Sequence, residues 1–337
     1  MLFTMRMHAL TLLFATAAAL TAAPNYHVVG QIPVGGDGGW DYLTIDSSAR
    51  RLYVSHATHV VVIDIDANKV VGDIPDTQGV HGVAIVSKLN KGFTSNGRGN
   101  NVTVFDLKTL KTLDHIATGQ NPDAIYYDAA TNRIFTFNGR SKDSTVINAD
   151  TLKVEGTIPL ADKPEFAVGE GKGIIYVNLE DSHHIAVVDA KKMTVVKKYD
   201  LAGCDSPSGL ALDAAHSRLF SVCDGNVMAI SDPNAGKVVA TAKIGASPDA
   251  AAFDTSKGYA FSSNGDGTMT VVGGSADKYN VIQTATTHRG ARTMALDEKT
   301  HKVYLPIAEY EAAAAGAAQQ KRPPMKAGSF AILILGE

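Results

Sequence analysis

Six side chains with chemistry to offer recur along this chain at a near-constant interval. They are Asp41, His81, Asp123, Glu165, Asp249 and Arg292, and Ser208 keeps the beat between Glu165 and Asp249. Successive members lie about 40 to 43 residues apart. A second series runs in the same rhythm: His56, Asn96, Asn138, Leu179, Cys223, Asn264 and Ile307. Imidazole beside carboxylate is a usable ligand set for zinc, manganese or iron. His56, His81 and Asp41 are therefore candidate metal ligands. Four acids brought close together would repel one another, and Arg292 offsets only one of them, so a divalent cation or a cationic ligand would relieve the rest. If the site is catalytic, a metal-assisted lyase or hydrolase is the reading. Glu165 or Asp123 would then be the general base, and Arg292 would hold an anionic substrate group. No H-E-x-x-H, G-x-S-x-G, Walker loop, dinucleotide fingerprint or haem-attachment motif stands in a suitable context.

The interval itself says what must position these residues. Around Asp41 the chain reads "WDYLTID", with relatives "VHGVAIV", "PDAIYYD", "PEFAVGE", "PSGLALD", "PDAAAFD" and "ARTMALD". Behind each comes a second piece of the form "RLYVSH", "KGFTSN", "RIFTFN" or "IIYVNL", then a third such as "HVVVID" or "NVTVFD" and, in most repeats, a fourth such as "KVVGDIP". The pieces are short, β-branched or aromatic, and bounded by Gly, Asn, Asp or Pro, which is the pattern of strands and turns. Seven copies of a four-strand unit with this period predict an all-β, seven-bladed β-propeller. The last copy stops at "SFAILILGE", after its third strand, while "YHVVGQIPVG" near the start reads as an orphan fourth strand. Pairing them closes the ring and removes its free edges. Residues 24–337 thus form a single propeller domain.

Within such a blade the first strand is innermost and the second runs back beside it. The start of one and the end of the other share a face, at the mouth of the central channel. The first series and His56 therefore converge on one rim, with Asp41, His56, His81, Asp123, Glu165, Asp249 and Arg292 as candidate ligand-binding residues. His184, His288, Arg289, Arg98 and Arg140 lie on loops that could face the same way. Each group also has a plainer use. Asn96, Asn138 and Asn264 are each followed by Gly, the preferred two-residue hairpin turn. The Pro-Asp pairs at 122–123 and 248–249 suit turns at strand starts. His56, His59 and the His183-His184 pair could be solvated turn residues.

"RLYVSH", "IIYVNL" and "KVYLPI", each with its following strand, resemble the repeats of the YncE-like YVTN-repeat β-propellers of bacteria. The resemblance covers the whole mature chain, and it implies a propeller that is exported. It implies no particular activity, because propellers serve as lyases, lactonases, dehydrogenase subunits and binding platforms.

The remaining features concern place and stability. "MLFTMRMHALTLLFATAAALTAAP" has the order of a secretory signal peptide, with Arg6 and His8 ahead of an apolar run and small residues, and with cleavage after Ala19 or Ala23. A periplasmic or secreted monomer is expected, with no membrane span after residue 23. The formal net charge of −3 gives no support for nucleic-acid binding. The two cysteines, Cys204 and Cys223, fall on the same face of blade five in an oxidising compartment, and a disulfide is their natural state. An insertion, residues 309–328, interrupts blade seven. It is either a surface loop or a lid carrying Glu309, Tyr310, Lys321 and Arg322. The preferred function is a binding module for a small polar molecule, a metal ion or a periplasmic protein, with the enzyme as the alternative.

Overall fold

The computed structural model describes residues 23–311 and 324–337; the signal-peptide reading and Lys321 and Arg322 of the insertion fall outside the described residues. Seven four-stranded antiparallel sheets stand around one axis. Six are continuous in sequence. The seventh combines strands Ala295–Asp297, Lys302–Ile307 and Ala331–Gly336 with the N-terminal strand His27–Pro33. The N-terminal strand pairs along its length, from His27 opposite Gly336 to Pro33 opposite Ala331. Ile32 is buried there, and just ahead of the strand Tyr26 is buried and exchanges two hydrogen bonds with the Gln283 side chain of blade six (2.9 and 2.8 Å). First strands of consecutive blades lie side by side around the axis, and Ala295–Asp297 against Trp40–Asp46 closes the circle. The core lies between blades, in apolar clusters that each draw on neighbouring sheets.

One register recurs in six blades. Trp40 pairs with His56, Val80 with Asn96, Pro122 with Asn138, Pro164 with Leu179, Pro207 with Cys223 and Pro248 with Asn264. Immediately after each pair the register shifts by a bulge. A bulge bends the strand and re-aims the next side chain, and that next residue is in every case the member of the first series.

The asparagines correct the turn reading. Asn96, Asn138 and Asn264 end their strands fully buried, and the turns follow them. Each side chain bridges the second and third strands of its blade. Asn96 Nδ2 donates to Asn101 Oδ1 and Thr103 Oγ1 while Oδ1 accepts from Thr94. Asn138 does the same with Asp143, Thr145 and Thr136, and Asn264 with Thr268, Thr270 and Ser262. A buried amide survives because every polar atom finds a partner. In blade five the slot holds Cys223, which is bonded to Cys204 with a Cα–Cα distance of 5.3 Å; there is no free cysteine.

Candidate functional site: the axial ring

The bulges deliver Asp41, His81, Asp123, Glu165 and Asp249 to one end of the axis, and Arg292 reaches the same place from just ahead of its short strand. Five of the seven ring positions, Ser208 included, have their backbone carbonyls held from the neighbouring blade. Ser55 Oγ donates to the carbonyl of His81 (2.8 Å), Ser95 to that of Asp123, Asn178 to that of Ser208 (2.7 Å) and Ser263 to that of Arg292. Thr293 completes the circle by donating to the carbonyl of Asp41 (3.0 Å). The donors come from the residue just before the slot in four blades, so one repeated position holds the ring in place.

Side chains then pair around the ring. His81 Nδ1 lies 2.5 Å from Asp41 Oδ2 and 3.7 Å from Asp123 Oδ1. Arg292 Nε meets Asp249 Oδ2 at 3.1 Å. Lys163, two residues ahead of Glu165, bonds Glu180 and stands 3.2 Å from Glu165 Oε2. It is off the hydrogen-bond direction, so that buried oxygen has no hydrogen-bond partner among the described residues. The four acids thus face three cations, not one. Lys163 had a local signal, a cation beside the proline that opens the strand, but its reach to Glu165 and Glu180 depends on the loop around it.

Compensation is incomplete. Burial raises Asp123 to about 7, against the opposing pull of His81. Burial, reinforced by Asp123, raises Glu165 to about 8. Burial raises Asp249 to about 7 even with Arg292 alongside. For His81, burial alone would favour the neutral ring. The bond to Asp41 and the charges of Asp123, Asp41 and Glu165 outweigh it and lift the imidazole to about 9. Perturbed groups that share one cleft for stated electrostatic reasons mark a functional-site candidate.

The ring has a floor. Among the residues that directly follow the ring positions, Tyr42 and Phe166 are the large ones; the others are Gly82, Ala124, Gly209, Ala250 and Thr293. Tyr42 belongs to blade one and Phe166 to blade four, yet their rings meet with centroids 4.6 Å apart. Blades one and four are not neighbours, so the contact crosses the axis and stops the channel beneath the acids. The ring is therefore the base of a bowl. Sequence reading missed the plug because it depends on two repeats, three blades apart, meeting in space.

His56 is the candidate that the structure moves. Donor atoms of Asp41, His81 and Asp123 all lie within 4.8 Å of one another, and His56 is not part of that group. It points into the blade, fully buried, with its ring stacked on Phe330 (centroids 4.3 Å apart, planes 3° from parallel) and Nδ1 3.1 Å from His59 Nε2. The reason lies in the slot. Where the three asparagine blades supply Thr or Ser partners, blade one has Val54 and Val61, which suit an aromatic ring and not an amide. Of the three candidate metal ligands, Asp41 and His81 thus share a cluster with Asp123, and His56 lies apart from it. His183 lies 3.5 Å from Asp205, and His184 opens a strand opposite Leu179. His288 and Arg289 do share a cleft with Arg292.

Fold and site together define a seven-bladed β-propeller with a plugged, charged axial bowl. The fold recurs widely among solved structures. A chain of Kuenenia stuttgartiensis hydrazine synthase superposes with a TM-score of 0.70 at 15% identity, covering 81% of this chain and 94% of that one. The RRP9 WD40 repeats give 0.76 at 9% identity, covering 93% and 99%. The structure of U3-55K gives 0.75 at 8%, covering 91% and 98%. At these identities the likeness is one of fold. No family model and no curated protein matches the chain.

Proposed function

We propose that this is an exported binding propeller of the YncE-like YVTN-repeat kind, and that its axial ring holds a divalent cation on Asp41, His81 and Asp123. The observation that carries this reading is the convergence of one imidazole nitrogen and two carboxylate oxygens within 4.8 Å, in a ring whose buried acids are incompletely neutralised. Neutral imidazole with carboxylate is a first shell for transition metals. Entry of the metal would displace the proton of His81 and neutralise the neighbouring acids. The disulfide supports an oxidising compartment, and among the described residues no helix is long and apolar enough to cross a membrane. Glu165, raised to about 8, gives the enzyme alternative its one specific support, a carboxyl group poised to exchange protons near neutral pH.

Calorimetric titration with Mn²⁺ and Zn²⁺ is the test. One ion should bind per chain. His81→Ala and Asp123→Asn should each weaken it by ten-fold or more, while His56→Leu leaves it unchanged. No stoichiometric binding, or equal loss in His56→Leu, would overturn the assignment.

A further inference from the structure

Beside the ring, between blades six, seven and one, opens a second concavity of about 810 Å³. Its lining is unlike that of the acidic bowl. Arg289, Arg292 and Lys326 bring positive charge, His288 brings an imidazole, and Trp40 and Tyr310 bring flat apolar surface. Two of the cations are already matched, Arg292 by Asp249 at 3.1 Å and Lys326 by Glu309 at 2.9 Å. Arg289 is exposed and makes no ion pair among the described residues. Trp40 rests one face on Phe330, with centroids 5.2 Å apart, which fixes its ring. The far wall is held as well. Tyr310 and Met325 pair across the base of the insertion, and Glu311 N and Lys326 N donate to the carbonyls of Pro324 and Glu309 (2.8 Å each). That short ladder joins the two ends of the insertion.

We propose that this cleft binds a small oxyanion, carboxylate or phosphate, carried on a planar apolar body. An unpaired guanidinium offers a bidentate fork that suits a carboxylate or phosphate. A volume of this size with a few polar groups among aromatic walls is typical of a small-molecule site. The head group would sit on Arg289, next to Arg292, and the body would lie between Trp40 and Tyr310. The inference does not depend on the ring holding a metal.

Trp40 is the chain's one tryptophan, so intrinsic fluorescence reads the cleft directly. Titration with phenyl phosphate and with benzoate should give a saturable change for at least one of them, and that one identifies the head group. Benzyltrimethylammonium should give none. Arg289→Gln, at an exposed position, should weaken binding by ten-fold or more. Gly39→Leu should abolish it, because a Cβ at Gly39 meets nothing within 4 Å and its backbone lies outside the left-handed region, so the new side chain fills the cleft without strain. Both variants should melt as the wild type does. No saturable signal with either oxyanion, affinity unaltered in both variants, or equal binding of the cation would each overturn the proposal. Calorimetry of Mn²⁺ on the same preparations reports the ring separately, so the two readings fail independently.

Discussion

Replacing His56 by leucine should flatten the acid limb of this protein's stability curve. His56 is sealed by its neighbours: Phe330 covers one ring face, His59 approaches Nδ1, Nε2 is buried with no partner among the described residues, and a Cβ on Gly36 would fall 2.8 Å from Cε1. Burial, with a smaller contribution from the neighbouring His59, lowers its pKa from 6.5 to about 4. The unfolded chain therefore takes up this proton below pH 6.5 while the folded chain refuses it until about pH 4. Stability associated with the neutral ring is complete above 6.5 and is lost as pH falls through that window. At about 1.4 kcal/mol per pKa unit, the loss is about 2 kcal/mol at pH 5 and approaches about 3 kcal/mol at pH 4. Leucine has comparable bulk and no proton to gain. It costs stability at every pH because it stacks less well on Phe330, but that offset cancels when slopes are compared. The assay is guanidinium unfolding of wild type and His56→Leu at half-unit steps from pH 7.5 to 4.0. The wild type should lose about 2 to 3 kcal/mol more than the variant across this range. Parallel curves would refute the reasoning and would place the imidazole in contact with water.

Asp249→Asn should show the opposite pH dependence. Asp249 is raised from 3.8 to about 7, so the folded chain keeps a proton that the unfolded chain releases, and the wild type loses stability as pH rises from about 4 to 7. The variant escapes that loss. Its advantage should be absent near pH 4 and reach about 1–2 kcal/mol at pH 8, less than the full electrostatic cost because Arg292 loses its partner; a variant less stable than wild type at pH 8 would mean that the Arg292 pair outweighs burial. Cys204→Ser with Cys223→Ser should cost about 3 kcal/mol in the chain-entropy account of a loop this long. The unreduced wild type should take up no alkylating agent, and labelling of either thiol in the native protein would remove the disulfide.

Much of the fold could be read directly from the sequence because a propeller writes its symmetry into it. Each blade must bury the same strand positions against its neighbours, so the apolar pattern returns with every repeat, and the incomplete first and last copies call for ring closure. The ring positions followed from the same register. The chain order of strand one and strand two is local, and it places Asp41 next in sequence to the partner of His56 without any long-range information. The cysteine pairing was legible for the same reason, since Cys204 and Cys223 flank a single hairpin.

Other properties were decided in space. Whether His56 faces the axis or the blade depends on Val54, Val61 and Phe330, the last of which arrives from the far end of the chain. Whether the channel is open depends on Tyr42 and Phe166 meeting across three blades. Whether four acids repel depends on Lys163 and His81 reaching sideways to acids of other blades or of the neighbouring strand end, where distances of 2.5 to 3.7 Å set the energy. The cleft of Arg289, Trp40 and Tyr310 is assembled from three blades that share no local sequence. Hydrophobic periodicity and turn chemistry act over a few residues and survive in a linear reading. Electrostatic coupling and packing depend on distances of a few ångströms, and only the closed ring fixes those.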